Sequence, residues 1–149
     1  MKKYTYPIYS VSRGRLLGIL LLIVGSLAAA QDGNPLLQGL YSEAQAARGA
    51  LAYGENCASC HANDLRGNSN SPALTGLSFL FLWEGRDLAE LFTRLSTDMP
   101  TDRPGSLPTD TYLDLLAFLL QHNGYPASTA SLDMARLEGE PVIIVPPPE

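Results

Sequence analysis

Residues 57–61 read Cys57-Ala58-Ser59-Cys60-His61, and Cys57 and Cys60 are the only cysteines in the 149-residue chain. Two thiols three positions apart, followed at once by an imidazole, form the C-x-x-C-H pattern of covalent haem attachment. In that chemistry each thiol adds to a haem vinyl group, and His61 is placed to bind iron through a ring nitrogen. The same residue types admit two other readings. A structural zinc site needs about four N/S ligands, and His122 would complete a set with Cys57, Cys60 and His61. A redox dithiol of the thioredoxin kind wants a βαβ setting, for which no pattern is found.

The N-terminus bears on the choice. Lys2, Lys3, Arg13 and Arg15 precede an uncharged apolar run, Leu16 to Ala30, which ends in three alanines. A basic segment, an apolar segment and a small-residue site describe a secretory signal peptide over 1–30, with cleavage expected after Ala30. The run is short for a spanning helix, which needs about 20 apolar residues. An uncleaved membrane anchor is the alternative. Export to the periplasm suits covalent haem and disfavours an isolated intracellular zinc site.

The stretch 1–30 holds four of the ten Lys/Arg and none of the 15 Asp/Glu, so the mature chain carries six cations against 15 anions, a formal charge of −9. All six cations are Arg. Nucleic-acid binding is disfavoured, because phosphate neutralisation requires basic surface. The acidity suits a basic docking partner or serves solubility alone.

Three helices are expected to position the motif. The first starts at Ser42, with Gln45 completing a capping box, and runs to about Asn56. It presents Ala46, Gly49, Ala50 and Tyr53 on one face. The second starts at Asp87, with Glu90 as its box partner, and sets Leu88, Leu91, Phe92 and Leu95 at helical spacing. The third starts near Thr109, after Pro108, carries Tyr112, Leu115, Leu116, Leu119 and Leu120, and stops at Gly124 and Pro126. Asp64 to Gly76 is rich in Gly, Asn, Ser and Pro and reads as a loop. No strand pattern competes. The organisation expected is a signal over 1–30, a flexible segment over 31–41, one all-α domain over 42–127 and a Pro-rich extended or disordered tail over 128–149. The apolar stretch Val142–Val145 in that tail either lies along the domain or binds a partner.

Iron held by one imidazole takes a sixth ligand or keeps an open site. Met99, Met134 and His122 are the candidates. Met99 closes the second helix, just before Pro100, which fixes the backbone after it. It lies far enough beyond His61 for the intervening chain to wrap one face of a haem. Met134 falls in the tail, and His122 sits at the end of the last helix. Met99 is the expected ligand. Trp83, the sole tryptophan, either packs in the core or donates its indole N–H to a haem propionate. Arg86 is a candidate partner for the same group.

With these residues in hand, roughly 43–127 resembles a class I cytochrome c. The motif follows a helix carrying Gly49-x-x-x-Tyr53, and the resemblance implies packing of those two residues against an aromatic on the last helix, here Phe118. Ser71-Pro72-Ala73-Leu74-Thr75-Gly76 is similar to the family's G-P-x-L-x-G loop, which implies that the Pro72 carbonyl accepts the second N–H of His61. Met99-Pro100, Pro104-Gly105-Ser106-Leu107, Tyr112-x-Asp114-x-Leu116-Ala117-Phe118 and Asn123-Gly124-Tyr125-Pro126 resemble cytochromes associated with quinoprotein (PQQ) dehydrogenases. The resemblance implies an all-α fold of about three main helices around one covalent haem c. It implies a periplasmic single-electron carrier, without turnover of its own. Its donor would be a quinoprotein dehydrogenase and its acceptor an oxidase or another cytochrome. A general donor to a terminal oxidase and a haem-based ligand-binding or peroxidatic protein are the alternatives.

Overall fold

The computed structural model describes residues 33–149. The expected signal peptide lies outside the described residues. Those described form helices α1 (Pro35–Gln38), α2 (Glu43–Asn56), α3 (Ala58–His61), α4 (Gly76–Trp83), α5 (Leu88–Asp98), α6 (Thr109–His122) and α7 (Met134–Leu137). Among them there are only isolated β-bridges and no strand. No helix among the described residues is long and apolar enough to cross a membrane.

The scaffold is the crossing of α2 and α6. Ala46, Gly49 and Tyr53 of α2 are buried, as is most of α6 from Tyr112 to Leu120. Gly49 sets the approach: a Cβ there would stand 1.9 Å from the carbonyl oxygen of Asp114. Phe118 packs against Tyr53 with ring centroids 5.2 Å apart. Arg48 closes the outer edge of the crossing by donating from Nε and Nη2 to the two carboxylate oxygens of Asp114, at 2.8 and 2.7 Å. α5 lies against α6 and buries Leu88, Leu91 and Phe92.

The two expected capping boxes are only half formed. Ser42 Oγ accepts from Gln45 N, but the buried Gln45 side chain turns away from Ser42. Its Oε1 accepts from Leu132 N and its Nε2 donates to Leu132 O, both at 2.8 Å. Asp87 Oδ1 accepts from Ala89 N, whereas Glu90 pairs with Arg86. Each box partner is drawn off by a competing hydrogen-bond partner.

Three expectations are corrected. Residues 76–83 form a helix, hidden in the sequence because Gly-Leu-Ser-Phe-Leu-Phe-Leu-Trp is apolar on every side and shows no period. Only its Phe79 is fully buried, and Leu77 and Phe81 stand open to solvent. The segment 31–41 is not loose over its described part: Asn34 caps α1, and Leu36 and Tyr41 are buried. The tail after Pro126 is packed rather than disordered, and of the two readings of Val142–Val145 it takes the one that lies along the domain. Ser128 N donates to Tyr41 O, and Leu132, Val142 and Ile144 are buried. The stretch from Val142 pairs antiparallel with the turn before α5, through Gly85 N to Ile144 O, Ile144 N to Arg86 O and Leu88 N to Val142 O at 2.8–2.9 Å. Alternation of buried Val142 and Ile144 with exposed Ile143 is what a strap laid along a domain requires.

Candidate functional site

Cys57 is the joint between α2 and α3. Its N–H still donates to Tyr53 O, while its carbonyl accepts from Cys60 N and His61 N. One helical turn therefore carries both sulfurs and the imidazole, and residues three and four apart on a turn are neighbours. His61 is buried, Cys57 half-buried and Cys60 exposed. Burial, and next the adjacent Cys60, push the Cys57 thiol up to about 11. As a free group it stays protonated at neutral pH.

The loop after His61 is folded back by its own polar groups. Ala62 and Leu65 take positive φ, and Gly67 follows at φ +68°. Tyr53 Oη donates to Ala62 O, Gly67 N to His61 O, Asn68 Nδ2 to Cys60 O, and Leu74 N to Leu65 O. Asn68 Oδ1 accepts from Asn70 N and Ser71 N. These bonds bring the Pro72 carbonyl oxygen to 2.9 Å from His61 Nδ1. A carbonyl only accepts, so the proton sits on Nδ1 and Nε2 keeps its lone pair for a metal.

Further along, α5 ends at Asp98 and Met99 follows as its C-cap with extended backbone. The loop beyond it returns across the end of α2, where Arg103 Nη2 donates to Asn56 Oδ1 at 2.6 Å. Tyr112 Oη of α6 donates to Met99 O at 2.7 Å and accepts from Leu107 N at 3.3 Å. Near the first loop, Asn123 at the end of α6 donates to Leu74 O and accepts from Gly76 N.

These segments surround one cavity of about 1140 Å³, lined by Cys57, Cys60, His61, Pro72, Trp83, Arg86 and Met99 among others. Leu74, Leu91, Leu95, Leu115 and Leu119 supply apolar wall. Small-molecule sites usually span roughly 300–1,000 Å³, so the space suits a large, mostly apolar group. All seven residues singled out in the sequence meet at this cavity. The two rival ligands do not: Met134 opens α7 and His122 lies exposed beside Phe118, and neither lines it. Among the described residues no three of His, Cys, Asp and Glu gather as a metal-holding set, so His122 completes no zinc site there. Arg86 is already engaged: its guanidinium lies 4.8 Å from the Trp83 ring centroid and bonds Glu90 Oε2 at 2.7 and 2.9 Å.

The donor chemistry fits haem c: two thiols and an imidazole on one turn, a tautomer with Nε2 available, a thioether on the same cavity, and apolar walls. Sequence reasoning gave no site role to Gly67, Tyr112, Asn123 or the Asn56–Arg103 pair. None has a local signature, because each acts on a segment distant in sequence or through a backbone atom.

A family model described as Cytochrome C oxidase, cbb3-type, subunit III matches residues 44–119. No curated protein matches the chain. Among solved structures, it is similar to the sulfane dehydrogenase SoxCD from Paracoccus pantotrophus, at 25% identity and a TM-score of 0.47. That match covers 64% of this chain and 52% of the other, so the chain spans about half the length of the relative.

Proposed function

The chain belongs to the c-type cytochrome family of cbb3-type cytochrome c oxidase subunit III, and from that premise we propose that it is an exported, periplasmic carrier of single electrons. Membership brings the all-α class I cytochrome c fold and a role in electron transfer, and it implies covalently bound haem c. Haem c supplies a one-electron ferric/ferrous couple when bound.

The chain's own residues do the rest. Cys57 and Cys60 tether the group by thioethers. His61 gives Nε2 to iron, its ring held by the Pro72 carbonyl, and that outer bond raises its basicity. Met99 gives the thioether sulfur, which favours the ferrous state and raises the potential. Leu91, Leu95, Leu115 and Leu119 exclude water. Trp83 and Arg86 line the same cavity, with Arg86 already paired with Glu90. The observation that carries the reading is the convergence of His61 and Met99 on one apolar cavity, with Met134 and His122 outside it.

The proposed donor is a quinoprotein dehydrogenase, on the resemblance of the stretch from Met99 to Pro126. A second reading, a donor to a terminal oxidase, draws support from the family's description as an oxidase subunit. The first test is an absorption spectrum of the exported protein, ferric and then ferrous, with Met99→Ala beside it. A sulfur-to-iron charge-transfer band in the ferric wild type, lost in the variant, is the expected result. Attached haem without that band refutes Met99 ligation and favours a ligand-binding protein. Rapid mixing with a reduced quinoprotein dehydrogenase at low and high salt separates the two partner readings, since failure at both favours the oxidase donor.

A further inference from the structure

We propose that Tyr112 is the positioning residue that fixes Met99 in the cavity, an inference that rests on Met99 being an iron ligand. Tyr112 sits in the first turn of α6, whose following turns are locked against α2 by Gly49, Tyr53 and Phe118. It is 3% exposed. From that fixed place its hydroxyl donates to Met99 O at 2.7 Å and accepts from Leu107 N at 3.3 Å. One oxygen thus pins both ends of the loop 99–107. Of the residues between, 101–106 are exposed, and the loop's other side-chain anchor in view is the exposed Arg103–Asn56 bond.

The consequence is specific to backbone position. A Met side chain has three rotatable bonds and adapts readily, so where its sulfur stays depends on where its Cα is held. Tyr112 holds the peptide oxygen of Met99 itself. Its role differs from ordinary core packing, which the ring would provide without the hydroxyl.

Tyr112→Phe keeps the ring and removes both bonds. The test is imidazole binding by the ferric holoprotein, because imidazole competes with Met99 for the same position. Loss of the net worth of these bonds is expected to raise imidazole affinity about tenfold (about 1.4 kcal/mol). The charge-transfer band should also fade at lower temperature than helicity does. Leu36→Ala, a buried residue of α1 outside the cavity lining, is the comparison: it should lower overall stability and leave imidazole affinity at the wild-type value. Wild-type affinity in Tyr112→Phe, with the band present in wild type and lost in Met99→Ala, overturns the role of Tyr112 alone. If wild type lacks the band and Met99→Ala binds imidazole unchanged, Met99 is no ligand and both readings fall together.

Discussion

Substituting alanine at two glycines of one helix should move stability in opposite directions. At Gly49 an added Cβ would meet Asp114 O at 1.9 Å, Asp114 C at 2.6 Å and Phe118 Cβ at 2.8 Å. Ordinary contact begins near 3.4 Å, so α2 and α6 must move apart at the crossing. Two of the three obstacles are backbone atoms and cannot rotate away. Overpacking typically costs about 1–3 kcal/mol, and a radial gap of about 0.5–1 Å already forfeits a quarter to a half of each dispersion contact along the seam. The top of that range applies here, about 3 kcal/mol. Alanine's helix propensity returns about 1 kcal/mol, leaving a net loss of roughly 2 kcal/mol or more. At Gly54 an added Cβ meets nothing within 4 Å, so Gly54→Ala should gain about 0.5–1 kcal/mol. The assay is guanidinium unfolding of the holoprotein followed by helix circular dichroism, comparing midpoints at equal slope. If Gly49→Ala unfolds within about 0.5 kcal/mol of wild type, the close crossing of α2 and α6 is wrong. If both variants gain stability equally, helix propensity and not the crossing decides the effect.

Three further outcomes are expected. Gly67→Ala forces a positive φ on alanine, at about 1–2 kcal/mol, and sets a Cβ 2.3 Å from Ser71 O and 2.7 Å from Pro72 O; the displaced carbonyl weakens its bond to His61 Nδ1, lowers imidazole basicity and should raise the reduction potential by up to about 40 mV, whereas an unchanged potential in a redox titration would show that Pro72 does not tune His61. Deleting residues 141–149 removes Val142 and Ile144, each 1% exposed or less, and should cost at least about 3 kcal/mol at about 1.5–3 kcal/mol per side chain; an unfolding midpoint equal to wild type would mean that the strap adds nothing. Tyr41 and Tyr125 are held up to about 12, first by burial and then by Glu43 and Glu84 respectively. Since the folded state keeps these protons more tightly than the unfolded one, their stabilising effect is complete below pH 10 and is lost as pH rises through about 12. Ultraviolet difference titration should find both phenols ionising late, and Tyr125→Phe should remove one of those steps; titration of both near the ordinary value of 10 would sink the assignment.

What could be read from the chain follows the range of the interactions involved. The motif Cys57–His61 is legible because attachment needs two thiols and an imidazole on one turn, and a turn is local. α2, α5 and α6 are legible because each carries apolar residues at helical spacing and starts at a recognisable terminus, a capping side chain for α2 and α5 and Pro108 for α6. α4 is hidden by uniform apolarity. A helix with no polar face has no period, and Leu77 and Phe81 look in sequence like core residues although they stand in solvent. The docking place of the strap is hidden for a different reason. Val142-Ile143-Ile144-Val145 has the composition of a strand, but its partner is the irregular turn 85–88, which carries no strand pattern of its own. A pairing between two unlike segments so distant in sequence leaves no mark in either.

The site divides along the same line, and the division explains which residues a motif can reveal. The atoms expected to touch haem belong to side chains: two thiols, an imidazole and a thioether. The atoms that aim them are mostly backbone: Pro72 O for His61, Met99 O for Tyr112, Leu74 O for Asn123. A carbonyl is present in every residue, so the sequence at the acceptor says little about whether it is used. Gly67 is the informative exception. Its φ of +68° and the approach of the Ser71 and Pro72 backbone leave no room for a side chain, so the position of the Pro72 carbonyl is written there, across the loop from the residue that supplies it. Aiming by backbone also implies that Pro72→Ala should disturb His61 less than Gly67→Ala, since alanine keeps the carbonyl and only the loop's rigidity changes.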